Sequence, residues 1–76
     1  MSKIAKIKSA LEIATGDAGL ALYHTAKKVR DAKRCRTFSK RRARANAALA
    51  LTTVRADVLA CGTLVLRHGA DEIVRV

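Results

Sequence analysis

Proline and tryptophan are absent from the chain, and Tyr23 and Phe38 are its only aromatic residues. Without proline nothing breaks a helix outright, so punctuation falls to Gly16, Gly19, Gly62 and Gly69. Without aromatics a core must be built from Ala, Leu, Val and Ile, which bury little area per residue. A 76-residue monomer made that way is marginally stable, so the chain is either a compact helical unit or shares its core with a second copy. The same scarcity removes the stacking platforms that hold single-stranded nucleic acid.

Cysteine is scarce as well. Cys35 and Cys61 do not make a disulfide framework. With His24 and His68 they form four ligand-type residues at gaps of 11, 26 and 7, unlike the close-paired spacing of zinc sites. No metal or other cofactor is expected. There is no P-loop, no dinucleotide fingerprint and no paired carboxylate beyond Asp71 and Glu72, so no enzyme is expected. Lys3, Lys6 and Lys8 punctuate the N-terminus where a signal peptide would place an apolar run. Arg55 and Asp57 interrupt the most apolar window, 47–66, which argues against a membrane span. A soluble intracellular protein is expected, cytoplasmic or nucleoid-associated, with reduced thiols.

Acidic residues are the last shortage: six, against sixteen Lys and Arg, for a net charge of +10. The imbalance is local. Residues 27–44 hold Lys27, Lys28, Arg30, Lys33, Arg34, Arg36, Lys40, Arg41, Arg42 and Arg44, ten cations against Asp31 alone. The rest of the chain holds six cations against five acids. A patch of this kind attracts polyanions, nucleic acid first, then acidic protein faces.

Three helices are predicted. Residues 2–15 space Ile4, Ile7, Leu11 and Ala14 by 3, 4 and 3, a stripe of helical period. Gly16 is placed to stop that helix and Asp17 to cap the next. The second helix is expected over 18–36. Its stripe of Ala18, Leu22, Ala26 and Val29 gives way to Lys33 and Arg36, so its second half has no core to face. Ser39 as N-cap, with Phe38 stapled onto Ala43, would start a third helix. Beyond it, Ala47, Leu51, Val54, Val58, Cys61 and Val65 read as a heptad seam of about two and a half repeats. The seam serves either the protein's own bundle or the contact between two copies. The third helix spans 39–61 or 39–68. If it stops at Gly62, "TLVLR" and "EIVRV" are short strands joined by "HGAD", and residues 70–76 form an extended tail in either case.

The expected architecture is therefore mainly α: one domain over 1–76, a two- or three-helix unit of helical-hairpin or short coiled-coil type. A short β segment is allowed at the C-terminus, and a homodimer or larger assembly is expected. At the elbow between the second and third helices, Lys40, Arg41 and Arg42 occupy a helix start, where the positive pole of the dipole disfavours cations. Breaking a local rule three times running is common at functional sites, and an anion docked there would resolve the conflict. All ten cations of 27–44 are thus candidate contacts for nucleic-acid phosphates, on double-stranded DNA or structured RNA. A helix-turn-helix headed by Arg41, Arg42, Arg44 and Asn46 is a weaker variant. The alternatives are a protein-interaction module, inhibitor or adaptor, that clamps an acidic protein surface, and a structural subunit of a nucleic-acid-containing assembly.

Overall fold

Ser2 caps the first helix by accepting a hydrogen bond from the Ala5 N–H at 3.1 Å, and Gly16 ends it at φ +69°. In the computed structural model, which describes residues 2–16 and 20–76, three helices precede three strands. They are α1 (Lys3–Thr15), α2 (Leu20–Ala32), α3 (Phe38–Ala48), β1 (Val54–Val58), β2 (Leu64–His68) and β3 (Asp71–Arg75). The strands form one antiparallel sheet in the order β1-β2-β3. Ile7 and Leu11 of α1, Ala26 and Val29 of α2, Ala45 of α3 and Leu49 just after it share one core with Val54, Leu64 and Leu66 of the sheet. Helices α1 and α3 thus pack on the sheet, with α2 packed against both of them.

This is an α+β fold, and the mainly α expectation is overturned with its helical hairpin and coiled coil. The first helix ends where its glycine predicted. The second stops at Ala32, four residues short of Arg36. Its last turn unwinds through i→i+3 bonds: Lys33 N–H to Arg30 O at 3.2 Å, Arg34 to Asp31 at 3.0 Å and Cys35 to Ala32 at 3.1 Å. The physical reason is the one visible in the stripe, since no apolar residue remains to pack. The expected cap at Asp17 and start at Ala18 lie outside the described residues. Thr37, two residues before Ser39, caps α3, its Oγ1 accepting from the Lys40 N–H at 3.3 Å.

The larger correction is the heptad seam. Helix α3 reaches neither residue 61 nor 68. Leu49 N–H closes the last turn onto Ala45 O. The run Leu51-Thr52-Thr53-Val54 then brings in β-branched side chains that resist helix. Thr52 enforces the exit: its hydroxyl donates to Leu49 O at 2.8 Å and accepts from Val54 N–H at 3.1 Å. The six seam residues scatter. Ala47 is exposed on α3, Leu51 stands in a turn at 103% relative exposure, and Cys61 is exposed in the β1–β2 turn. Val54 and Val65 are buried on β1 and β2, and Val58 is half-buried at the end of β1. With the seam goes the evidence it offered for a homodimer.

Gly69, at φ +64°, and Ala70 make the tight turn between His68 and Asp71. Register shifts between Leu66 and Arg67, pairing them with Val74 and Glu72, so Ile73 is the extra residue of a bulge on β3. The strand pair read from "TLVLR" and "EIVRV" is therefore present, but β1 was not anticipated. Among the described residues no helix is long and apolar enough to cross a membrane.

Candidate nucleic-acid interface

The break between α2 and α3 makes a true elbow: α2, a turn over residues 33–37, then α3. Lys27 and Lys28 stand exposed on α2, Arg34 and Arg36 in the turn, and Lys40 and Arg44 on α3, with Lys33 half-buried between. None of these seven side chains has an ion pair or hydrogen bond among the described residues. Three of the ten candidates do have partners. Arg30 holds Asp31 through Nη2 at 2.8 Å and Nε at 3.2 Å. Arg42 lies 3.8 Å from the Asp57 carboxylate on β1, an exposed pair of little worth. Arg41 is locked, donating from Nε to Cys35 O at 2.8 Å and from Nη1 to Gly62 O at 3.0 Å, with its guanidinium over the Phe38 ring at 5.2 Å.

Arg41 therefore sits at the start of α3 for a structural reason. One planar fork ties the α2–α3 turn to the β1–β2 turn. Lys40 occupies the third position of α3, a cation at the positive pole of the helix. Gly62 is fitted to the same clamp: it has φ +91°, and a Cβ there would lie 2.8 Å from Arg41 Nη1 and 3.2 Å from the Phe38 ring.

Asn46 was a candidate base reader and is not available for that role. Its Nδ2 donates to Ala56 O at 3.0 Å and its Oδ1 accepts from Ala56 N–H at 2.7 Å. One amide thus takes the place of a neighbouring strand on the edge of β1 away from β2. The exposed aromatics do not form a platform either. Phe38 underlies Arg41, and Tyr23 meets His24 edge to face at 5.8 Å.

Two concavities run along the basic surface. A cleft of 470 Å³ between α2 and α3 is lined by Lys28, Asp31, Arg44, Ala47 and Ala48. A second, of 230 Å³, is lined by Lys3 with Arg30, Lys33 and Arg34. Lys3 lies outside the charged run, and sequence reasoning missed it because the α1–α2 pairing alone brings it there. Arg30 beside Asp31 holds that carboxyl below the usual carboxylate range. In the β1–β2 turn, hydrogen bonds from Thr63 lower the Cys61 thiol. Cys61 is thus an exposed thiol and not the core residue the seam implied. Cys35 and Cys61 are both free, and among the described residues no three His, Cys, Asp or Glu side chains gather as a metal site. Compared with family models, with curated proteins and with solved structures, the chain matches none, so its function rests on the geometry above.

Proposed function

We propose that the chain is a non-catalytic nucleic-acid-binding protein that grips the phosphate backbone of a duplex, DNA or structured RNA. The gripping surface is the elbow of α2, the 33–37 turn and α3. The observation that carries this is the set of seven cations, Lys27, Lys28, Lys33, Arg34, Arg36, Lys40 and Arg44, whose side chains make no ion pair or hydrogen bond among the described residues. Crowding like charges raises the free energy of the unbound protein. Phosphates relieve it, and the counterions they shed add a salt-dependent driving force.

The outward side of α3 carries Lys40, Ala43, Arg44 and Ala47, all exposed. The alanines keep that side slim, so its backbone approaches a groove floor closely. The eleven residues of α3 give a rod about 16 Å long, and a major groove about 12 Å wide admits such a helix. With Asn46 and Arg41 tied to the protein's own backbone, base contacts fall to Arg44, and weak sequence preference follows.

The test is fluorescence anisotropy with random-sequence duplex DNA, duplex RNA and single strands across salt concentrations. A linear fall of log K with log salt, with a slope of about −0.9 per phosphate contact, is expected on duplex. No duplex binding near 50 mM salt, or binding indifferent to salt, would favour an acidic protein surface as the partner instead.

A further inference from the structure

The charged run ends at Arg44, yet the fold adds a cation that the run does not contain. Lys3, the first residue of α1, lines a 230 Å³ cleft whose other lining residues are Arg30, Lys33 and Arg34. Four cations, from the start of α1, the last turn of α2 and the turn that follows it, face one small space. Helix α1 is anchored by Ile7 and Leu11, and Lys3 is exposed, with no ion pair or hydrogen bond from its side chain among the described residues. An acidic residue in the first turn would suit the positive pole of α1, but that turn has none. Ser2 occupies only the Ala5 N–H, so the N–H groups of Lys3 and Ile4 remain without a helical partner.

The neighbouring surface continues the pattern. An adjoining cleft of 90 Å³ is lined by Lys3, Lys6, Ile7, Arg75 and Val76. Arg75 is already engaged by Glu72, whereas Lys6 has no partner among the described residues. Arg30 is steadied by Asp31, which bonds Nε and Nη2 and leaves Nη1 open. The first cleft therefore presents a guanidinium held by Asp31, two ammonium groups and a further exposed guanidinium. That is a donor set suited to a tetrahedral oxyanion.

We propose that Lys3, Arg30, Lys33 and Arg34 form a phosphate seat at the α1–α2 end of the molecule, distinct from α3, which takes one phosphate of the bound nucleic-acid backbone. The seat rests on the proposed nucleic-acid function and adds a contact that the sequence run does not contain. With α3 it fixes the duplex at two separated places, so it sets orientation as well as affinity.

The test compares the wild-type chain with Lys3→Gln and with Arg67→Gln, which removes one charge from the sheet. In duplex titrations Lys3→Gln is expected to reduce the magnitude of the salt slope by about 0.9 and weaken binding about eightfold near 0.1 M salt. Arg67→Gln should leave the slope unchanged. Inorganic phosphate is titrated separately, following backbone amide shifts by NMR. Saturable shifts at residues 3, 4, 33 and 34 that vanish in Lys3→Gln support the seat. Their absence overturns it. If phosphate binds there but Lys3→Gln keeps the wild-type duplex slope, the seat serves free phosphate and its role on nucleic acid is wrong. If the wild-type protein binds no duplex at all, the proposed function fails, and the phosphate titration alone then decides whether the seat exists.

Discussion

Residues 2–48 carry thirteen of the sixteen cations and three of the six acids, whereas residues 49–76 carry three of each. The two halves also use their charges differently. In the sheet half Arg75 is paired with Glu72, and Arg55 donates through Nη1 to the carbonyls of Thr52 at 2.9 Å and Val54 at 2.8 Å. Asp57 meets Arg42 and accepts from the Val58 N–H at 2.8 Å. In the helical half seven cations of the elbow make no ion pair or side-chain hydrogen bond among the described residues. Four of the six ions in the sheet half, Arg55, Asp57, Glu72 and Arg75, meet a partner within the protein, and the net charge of the molecule belongs entirely to the other half. Removing the elbow cations that lack such contacts should therefore separate binding from stability.

The strongest way to break this comparison is to neutralise Lys33, Arg34, Arg36, Lys40 and Arg44 together to Gln. Duplex affinity near 0.1 M salt should fall by more than about a thousandfold, with the salt slope reduced by about 4 to 5. The melting temperature should hold or rise, because like-charge repulsion is relieved. A melting temperature that drops sharply would show that the elbow holds the fold together after all.

Next in size is the clamp. Arg41→Met leaves the Cys35 and Gly62 carbonyls without their donor and should cost about 1–3 kcal/mol, a fall in melting temperature of about 4–8 °C per kcal/mol in a domain this small. Gly62→Ala should cost about 1–2 kcal/mol from its positive φ, with a steric addition against Arg41. The steric part disappears when Arg41 is already gone, so the double variant should be less destabilised than the two singles added. The duplex salt slope of Arg41→Met should stay close to wild type. A loss of a full contact would return Arg41 to the binding surface.

Arg41 also marks where the sequence stopped being readable. Its acceptors are two backbone carbonyls, 6 and 21 residues away, and no side-chain pattern announces a carbonyl. Helix α1 was legible because two signals agreed, the Ile4–Ile7–Leu11–Ala14 spacing and Gly16. The elbow was legible because the apolar stripe of α2 runs into Lys33 and Arg36. The end of α3 was misread because half the residues are hydrophobic. In so apolar a chain a 3–4 spacing and a spacing of two both find matches: Val54, Ala56 and Val58 alternate along β1 just as well as Val54 and Val58 fit a heptad. What should have decided between them is Leu51-Thr52-Thr53-Val54, whose β-branched residues disfavour helix. Asn46 could not be read from either pattern, since its role depends on a strand edge that only the assembled sheet creates.

A smaller effect sharpens the comparison within a single turn of helix. Thr37 caps α3 and Lys40 stands three residues on, so the sequence is one substitution from a capping box, in which Glu would reach back to the cap N–H. Lys40→Glu should therefore stabilise the free protein by about 0.3–1.5 kcal/mol while weakening duplex binding. Thermal melts and anisotropy on the same sample read both signs. Stabilisation without loss of affinity would remove Lys40 from the interface.

The smallest predicted effect concerns the one acid inside the elbow. Asp31 lines the cleft between α2 and α3 and holds Arg30, and Arg30 in turn keeps its carboxyl below the ordinary carboxylate range. Asp31 is thus ionised throughout pH 5 to 7 and repels phosphate there. Asp31→Asn should tighten duplex binding a few-fold, with a constant margin over that whole interval. The stability sign is the opposite. A depressed folded-state pKa contributes stability above the unfolded value, lost as pH falls through the folded one. Asp31→Asn should therefore be slightly less stable than wild type at pH 7, and the gap should close in acid. A carboxyl titration followed by NMR in wild type and in Arg30→Gln checks the cause: the Asp31 midpoint should move up when Arg30 is removed. If it does not move, the contact with Arg30 is not what keeps Asp31 charged. The cleft would then have to be explained without an acid that steadies one cation while weakening the whole patch.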